Sequence, residues 1–273
     1  KQVLLSLKLD RTVEQCIAAH RAGRKPVVML TYTNMAAVDD LVASGAIRVG
    51  EWVPSRGFGQ LLQRALDGLM VIKVEDPARS TSRKRVYVTW RWRPGTDTFV
   101  NTQEPSQVVD LQGPEWEDWK AKYYETRDLL DATDLSAMPI SPIDTIKAGL
   151  EAAGIPCGEI TGRQYAVEVE GDRMRVVPLK KLRGGRNATI RAFNNGELRA
   201  ILFNAAGATG ISLHASPRFL DLDPRHTFIA QTPDDINDFM QGLGRTNRLG
   251  QVVGPWYTPI FTALPSELRL RSV

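Results

Sequence analysis

Cysteine and histidine are scarce in these 273 residues: two cysteines, Cys16 and Cys157, and three histidines, His20, His214 and His226. Ligands so few and so scattered give neither a disulfide framework nor a zinc site, so the metal-site expectation is none and both cysteines read as small core residues. No apolar run approaches twenty residues, which excludes a spanning helix, and the opening KQVLLSLKLD lacks the apolar core of a signal peptide. A cytoplasmic protein with no membrane contact is expected. Also missing are GxxxxGK(S/T), a GxGxxG after the first apolar strand, and an acidic pair at the end of such a strand. Asp39-Asp40 falls inside an expected helix and Asp234-Asp235 at the start of another. Position 1 is Lys rather than Met, which fits a processed chain or a fragment cut from something longer.

What is present is an ordinary globular balance, 42% apolar and 24% charged, enough for one large core or two modest ones. The net charge of +4 is unevenly placed. Residues 78–93 hold six basic side chains and residues 173–191 hold seven, neither block containing an acid. Such blocks favour polyanions, or simply form solvated faces.

Residues 26–33, PVVMLTYT, form a continuous apolar run turning polar at its end, as expected of a strand covered on both faces in a parallel sheet. A helix over 12–21 precedes it and one over 35–44 follows. Ligands bind beyond the carboxyl ends of such strands, which makes Thr31, Tyr32, Thr33 and Asn34 candidate contacts. Helical spacing recurs over 58–70, then strands are expected at 71–75 and 85–92. In the latter, Trp90, Trp92, Arg91 and Arg93 either cover a small satellite core or stack on bases. Residues 94–113 carry no periodicity and read as a linker or long loop. An amphipathic helix over 115–130 places Trp116, Trp119, Tyr123 and Leu130 on one side. Residues 46–134 thus read as an inserted accessory region with a hairpin and helices, between two parts (1–45 and 135–273) of an α/β lobe.

The second part is richer in motifs. SPID (141–144) starts a helix, with Ser141 as N-cap and Pro142 at the first position. GEITGR (158–163) is a short strand ending in Thr161, Gly162 and Arg163: hydroxyl, free backbone N–H and positive charge, a set that suits a phosphate. Residues 165–177 alternate about Gly171-Asp172, a hairpin in which Glu168 and Glu170 should face Arg173 and Arg175. A helix over 187–194 leads to a buried strand over 198–205 and then AAGATGISLHA (205–215), small residues that let a ligand reach the backbone. A third strand over 225–231 and a helix through Ile236, Phe239, Met240 and Leu243 deliver QGLGRTNRLGQ (241–251). Arg245 and Arg248, three apart, should project to one side, where guanidinium groups meet phosphate through paired hydrogen bonds. Gly244 would permit close approach, and Gln241 offers an uncharged donor and acceptor. A strand within 252–263 closes the chain.

SPID, GEITGR, AAGATGISLHA and QGLGRTNRLGQ, in this order, resemble the second RecA-like lobe of superfamily 2 helicases, and in particular the C-terminal helicase domain of the strawberry notch family. The last motif is also similar to the arginine motif of chromatin-remodelling ATPases. The resemblance covers residues 135–262 well and 11–45 loosely. It implies a RecA-like lobe with a mainly parallel sheet flanked by helices. It further implies that Arg245 and Arg248 act on the γ-phosphate of ATP, with Gln241 and Gly244 beside them. Thr209, Gly210 and Ser212 would couple nucleotide to nucleic acid. Thr161, Gly162 and Arg163, and less directly Thr33 and Asn34, would hold the backbone of a nucleic acid, with DNA favoured. ATP and Mg2+ would be bound mainly by an N-terminal RecA-like lobe of the same polypeptide, so this stretch alone is expected not to hydrolyse ATP. Two other classes are open on the residues: a non-enzymatic nucleic-acid-binding module, and a Rossmann-type methyltransferase or dehydrogenase, the latter disfavoured by the missing GxGxxG.

Overall fold

The computed structural model describes all residues except 1, 34–37, 40, 41, 44, 46, 55–58, 82–84, 94, 95, 97, 110, 112, 134–137, 181, 205–208, 266 and 268–273, and except the side chains of 2, 3, 60, 61, 64 and 65. The chain divides into two compact units, residues 1–55 with 138–273, and residues 56–137. The divisions fall at 55/56 and 137/138 rather than at 45/46 and 134/135, because Val53 and Pro54 pair with the 165–178 hairpin and so join the first unit.

The first unit is built on a parallel five-stranded sheet. In chain order its strands are β1 (Lys25–Leu30), β7 (Cys157–Ile160), β10 (Ala200–Asn204), β11 (Arg225–Ile229) and β12 (Trp256–Pro259), and their spatial order is β12-β11-β1-β10-β7. β1 lies at the centre, buried at all six positions, and alternate residues feed two cores. Val28 and Leu30 join Leu202, Phe228 and the apolar faces of α1 (Gln2–Ser6), α2 (Leu9–Arg21) and α5 (Pro142–Ala152). Val27 and Met29 join Ile201, Phe203 and Ile229 against α6 (Gly185–Asn194) and α7 (Ile236–Leu243). This α/β sandwich explains why β1 and β10 read as apolar runs instead of alternating ones. The expected helix over 35–44 lies largely outside the described residues. Among the described residues no helix is long and apolar enough to cross a membrane.

A second small sheet, β2 (Val53–Pro54), β9 (Arg173–Pro178) and β8 (Tyr165–Glu170), is the expected hairpin with one added strand. Glu168 opposes Arg175 and Glu170 opposes Arg173, and the first pair closes to 2.6 Å. At the amino end of the large sheet His226 stacks on Phe228, its ring centroid 4.1 Å away, and meets Thr258 Oγ1 at 2.8 Å through Nε2. Burial, with the Arg24 charge beside it, lowers its pKa to about 4. A histidine with a depressed folded pKa stabilises the fold above its unfolded value and loses that contribution as pH falls. Stability should therefore decline between about pH 6.5 and pH 4, and His226→Gln should flatten that limb in chemical denaturation followed across this range.

The second unit has four antiparallel strands, β3 (Val71–Glu75), β4 (Tyr87–Arg93), β5 (Thr98–Asn101) and β6 (Val108–Val109), with α3 (Gly59–Leu69) and α4 (Pro114–Ala132). Residues 94–113 are thus no linker: Phe99 and Val100 build a third strand that the short apolar stretch did not announce. Trp92, Phe99, Met70 and Tyr123 form its core, with Trp90 and Trp116 packed on it. The tryptophans of β4 are therefore core residues, unavailable for base stacking. Trp119 stands 57% exposed, off the packed face of α4, which follows Trp116, Tyr123 and Leu130 at seven-residue spacing instead.

Candidate nucleotide and nucleic-acid interface

Residues 31–33, 161–163, 209–215 and 230–231 leave the sheet at one edge, since the five strands run parallel and these residues follow β1, β7, β10 and β11. That edge is where a parallel sheet presents backbone N–H groups and loop side chains to a ligand.

α7 is started by Asp235, whose carboxylate accepts from the Asn237 and Asp238 amides. Its inward residues Phe239 and Leu243 pack on the sheet, and Gly242 lies against Met29, where a Cβ would come within 2.3 Å of the methionine methyl. Gly242 thus permits a close approach of helix to sheet that Gly244 does not share. The helix ends at Leu243, so Arg245 and Arg248 lie in the turns beyond it, not on its last turn.

These turns are stapled to the loop after β10. The Leu213 amide donates to the Arg245 carbonyl at 2.8 Å, and Arg248 donates through Nη2 to the Ile211 carbonyl at 3.0 Å and through Nε to that of Gly244 at 3.2 Å. Three more of the loop's carbonyls are held: Thr209 by Arg186 Nη2, Ser212 by Asn194 Nδ2 at 3.0 Å, and Leu213 by Arg225 Nε at 3.0 Å. Arg225 is itself buried and fixed on Asp221, which also receives Lys25 Nζ at 2.8 Å and Arg199 Nη1 at 2.8 Å. Burial lowers the Lys25 ammonium to about 8 despite that partner. Gly210, with φ 74° and exposed, forms the bend of the loop, and Ser212 is half-buried.

Arg245 differs from its neighbours. Its Nε is buried without a hydrogen-bond partner, and burial, then the charges of Arg248 and Arg186, push its pKa down. A half-buried guanidinium beside two more, with no carboxylate paired to it among the described residues, is costly until an anion arrives. His214 nearby is also held below its usual pKa, by burial and then by Arg248, Arg225 and Arg218, and its Nδ1 is unpartnered. Arg186 was not singled out in the sequence beyond its membership of the basic block. Its signal was the position of that block immediately before a buried strand. Gln241 is exposed.

The turn after β7 behaves differently. Arg163 was expected to bind phosphate, but its side chain is 0% exposed. All five of its N–H groups are spent within the protein. Nε and Nη2 reach Glu159 at 2.5 and 2.7 Å, Nη2 and Nη1 reach Asp144 at 2.5 and 2.7 Å, and Nη1 reaches Ser141 Oγ at 3.3 Å. It is a positioning residue, tying the start of α5 to β7. Asp144 also accepts the Val167 amide at 2.7 Å. Ser141 sits at the expected N-cap but turns its hydroxyl to Asp144 instead of to the helix. Thr161 and Gly162 line a groove of about 960 Å³ along β7, together with Lys180 and Arg186. Thr33 is half-buried, and the turn before it is held by Gln231 Oε1, which accepts the Thr31 and Tyr32 amides at 3.0 Å each. Asn34 lies outside the described residues.

No cluster of three or more His, Cys, Asp or Glu converges among the described residues.

A parallel α/β sheet with helices on both faces, its motif loops gathered at the carboxyl edge and two arginines beyond α7, is a RecA-like lobe. Residues 149–273 match the family described as the C-terminal domain on Strawberry notch homologue, so this stretch is similar to the C-terminal helicase domain of that family. Curated relatives agree. Protein strawberry notch homolog of Caenorhabditis elegans is 27% identical over 130 residues, covering 42% of this chain and 7% of that protein. Protein strawberry notch homolog 1 of Homo sapiens is 28% identical over 158 residues, 54% of this chain and 11% of that protein. The matched stretch thus spans only about a tenth of the length of these relatives. Among solved structures, the C-terminal part of the Fun30 ATPase domain aligns at 16% identity and TM-score 0.35, covering 60% of this chain and 47% of its own, a likeness too weak to build on.

Proposed function

We propose that this lobe is the second motor lobe of an ATP-dependent helicase or translocase of superfamily 2. Arg245 and Arg248 face the γ-phosphate of ATP that an N-terminal RecA-like lobe of the same polypeptide holds, with Mg2+. Gln241 and Gly244 border that nucleotide, and Gly210 and Ser212 connect it to the nucleic acid. The observation carrying this reading is the buried, unpartnered Nε of Arg245 in the field of Arg248 and Arg186. An incoming phosphate would supply the missing acceptor and the missing negative charge together.

Thr161, Gly162, Thr209 and Arg186 contact the nucleic-acid backbone, DNA in the first instance, and Thr33 and Asn34 are proposed as further contacts. Arg163 serves them by fixing the turn. Contacts of this kind carry no base-edge information, so binding is salt-sensitive and broadly sequence-independent.

The purified 273-residue chain should bind a labelled oligonucleotide and show no ATP turnover with or without it. Arg186→Gln should reduce the slope of log affinity against log salt by about 0.7–0.9, one phosphate contact's share. Nucleic-acid-stimulated hydrolysis by the chain alone would overturn the division of the ATP site between two lobes.

A further inference from the structure

We propose that the open face of the second unit's sheet is a separate nucleic-acid contact, running along β4 through Tyr87, Thr89, Arg91 and Arg93, with Lys73 of β3 beside it.

Strand alternation sorts β4 cleanly. Trp90 and Trp92 enter the aromatic core with Phe99, Trp116 and Tyr123, which leaves 87, 89, 91 and 93 on the opposite face. Ladder register then places Lys73 opposite Thr89, Val71 opposite Arg91 and Thr98 opposite Arg93 on that same face. Lys73, Arg91 and Arg93 are exposed, and Tyr87 is 46% exposed. Among the described residues none of the three cations has a hydrogen bond or an ion pair. The acid of this face on β3, Glu75, lies opposite Tyr87 and is met by Arg85 at 3.5 Å. Arg79, in the loop between β3 and β4, is likewise engaged, by Asp76 and Glu104.

The face is therefore a patch of uncompensated positive charge with one aromatic ring at its end. Arg91 and Arg93 are two residues apart on one strand, about 7 Å between Cα atoms, a spacing that lets successive guanidinium groups address successive phosphates of one strand. Lys73 adds a third charge on the neighbouring strand, diagonal to Arg91. A tyrosine ring in line with them offers a surface on which any base can stack. Cations for the backbone and a π-face for the bases together make a single-stranded polynucleotide the complementary partner. An acidic protein surface would not use the ring in this way. The choice of a nucleic acid as occupant rests on the reading of the first unit as a nucleic-acid motor; the charge of the face does not.

The test uses the whole 273-residue chain and a labelled single strand of about 20 nucleotides, longer than the upper end of common single-strand site sizes. Fluorescence anisotropy is followed over a salt series. The triple variant Lys73→Gln/Arg91→Gln/Arg93→Gln changes only exposed side chains and should melt like the parent. It should lower the salt slope by about 2, three contacts at about 0.7 each. Tyr87→Ala should weaken binding about tenfold with the slope unchanged. An unaltered slope and affinity in the triple variant overturns the proposal. Arg186→Gln, run in parallel, separates the two readings. If it weakens binding while the triple variant does not, the motor-lobe grip stands and this face is refuted. If only the triple variant weakens binding, this face stands and the grip through Arg186 fails. Vesicles containing phosphatidylserine that bind through the three cations, with oligonucleotide binding indifferent to them, would assign the face to a membrane and overturn the proposal.

Discussion

Arg245→Ala, introduced into a polypeptide carrying both lobes, is expected to lower nucleic-acid-stimulated ATP turnover by about 10³- to 10⁵-fold while leaving nucleic-acid affinity nearly unchanged. The magnitude follows from where the charge sits. Arg245 is half-buried, its Nε has no partner, and the fields of Arg248 and Arg186 already oppose its protonated form. A guanidinium held so is poised for charge that develops on a transferring phosphoryl group, and in a dry site that interaction is strong. Arg245→Lys should recover little, because an ammonium cannot present two parallel donors. Arg248→Ala should act on two levels. Besides any loss at the phosphate, it strips donors from the Ile211 and Gly244 carbonyls, so the variant should also melt earlier. Steady-state ATPase assays with a parallel binding titration decide the matter. Unchanged turnover with weakened nucleic-acid binding would favour a non-enzymatic binding module and remove the nucleotide role from both arginines.

How much of this was legible in the sequence depended on the range of the interactions concerned. β1 and β10 are readable because a strand covered on both faces is largely apolar, a property of five or six consecutive residues, whereas β11, RHTFI, is buried throughout although three of its five residues are polar. The hairpin was readable because Gly171 sits between two alternating runs of opposite charge. β5 was hidden: four residues, TFVN, gain their strand conformation from the ladder to Trp90 and Trp92 rather than from any local pattern. The same limit governed the site. Short motifs marked Arg245, Arg248 and the 205–215 loop, whereas Lys25, Asp221 and Arg225 are brought together from positions up to 200 residues apart. Nothing in their local sequence signals that they brace the loop. Arg163 shows the converse error. Its neighbours Thr161 and Gly162 do line the groove, but the partners that enclose Arg163, Asp144 and Glu159, arrive from a helix start and from the strand before it. An arginine after a glycine looks the same in sequence whether its charge is offered to a ligand or spent inside.

That distinction yields the second large effect. Arg163→Met should destabilise the first unit by about 3–5 kcal/mol, because Glu159 and Asp144 would be left with desolvated, under-compensated carboxylates. For a unit of this size that corresponds to roughly 10 °C in melting temperature. Burial alone would raise the Glu159 carboxyl, but the hydrogen bonds and charge of Arg163, with Lys147 and Thr161, hold it below its ordinary value. A carboxyl with a depressed folded pKa contributes stability above the unfolded value and loses it as pH falls through the folded one. The parent chain should therefore lose stability on acidification, and Arg163→Met should lose much of that slope, since its Glu159 gains from protonation. Arg163→Lys is the informative companion. If Arg163 bound phosphate, lysine would preserve the fold and much of the charge-dependent binding. As a fork joining two carboxylates it cannot be replaced by a single ammonium, so lysine should destabilise nearly as methionine does. Thermal melts across pH, with the salt slope of oligonucleotide binding measured on the folded fraction, separate the two roles. A lysine variant of parental stability but reduced salt slope would return Arg163 to the nucleic-acid interface.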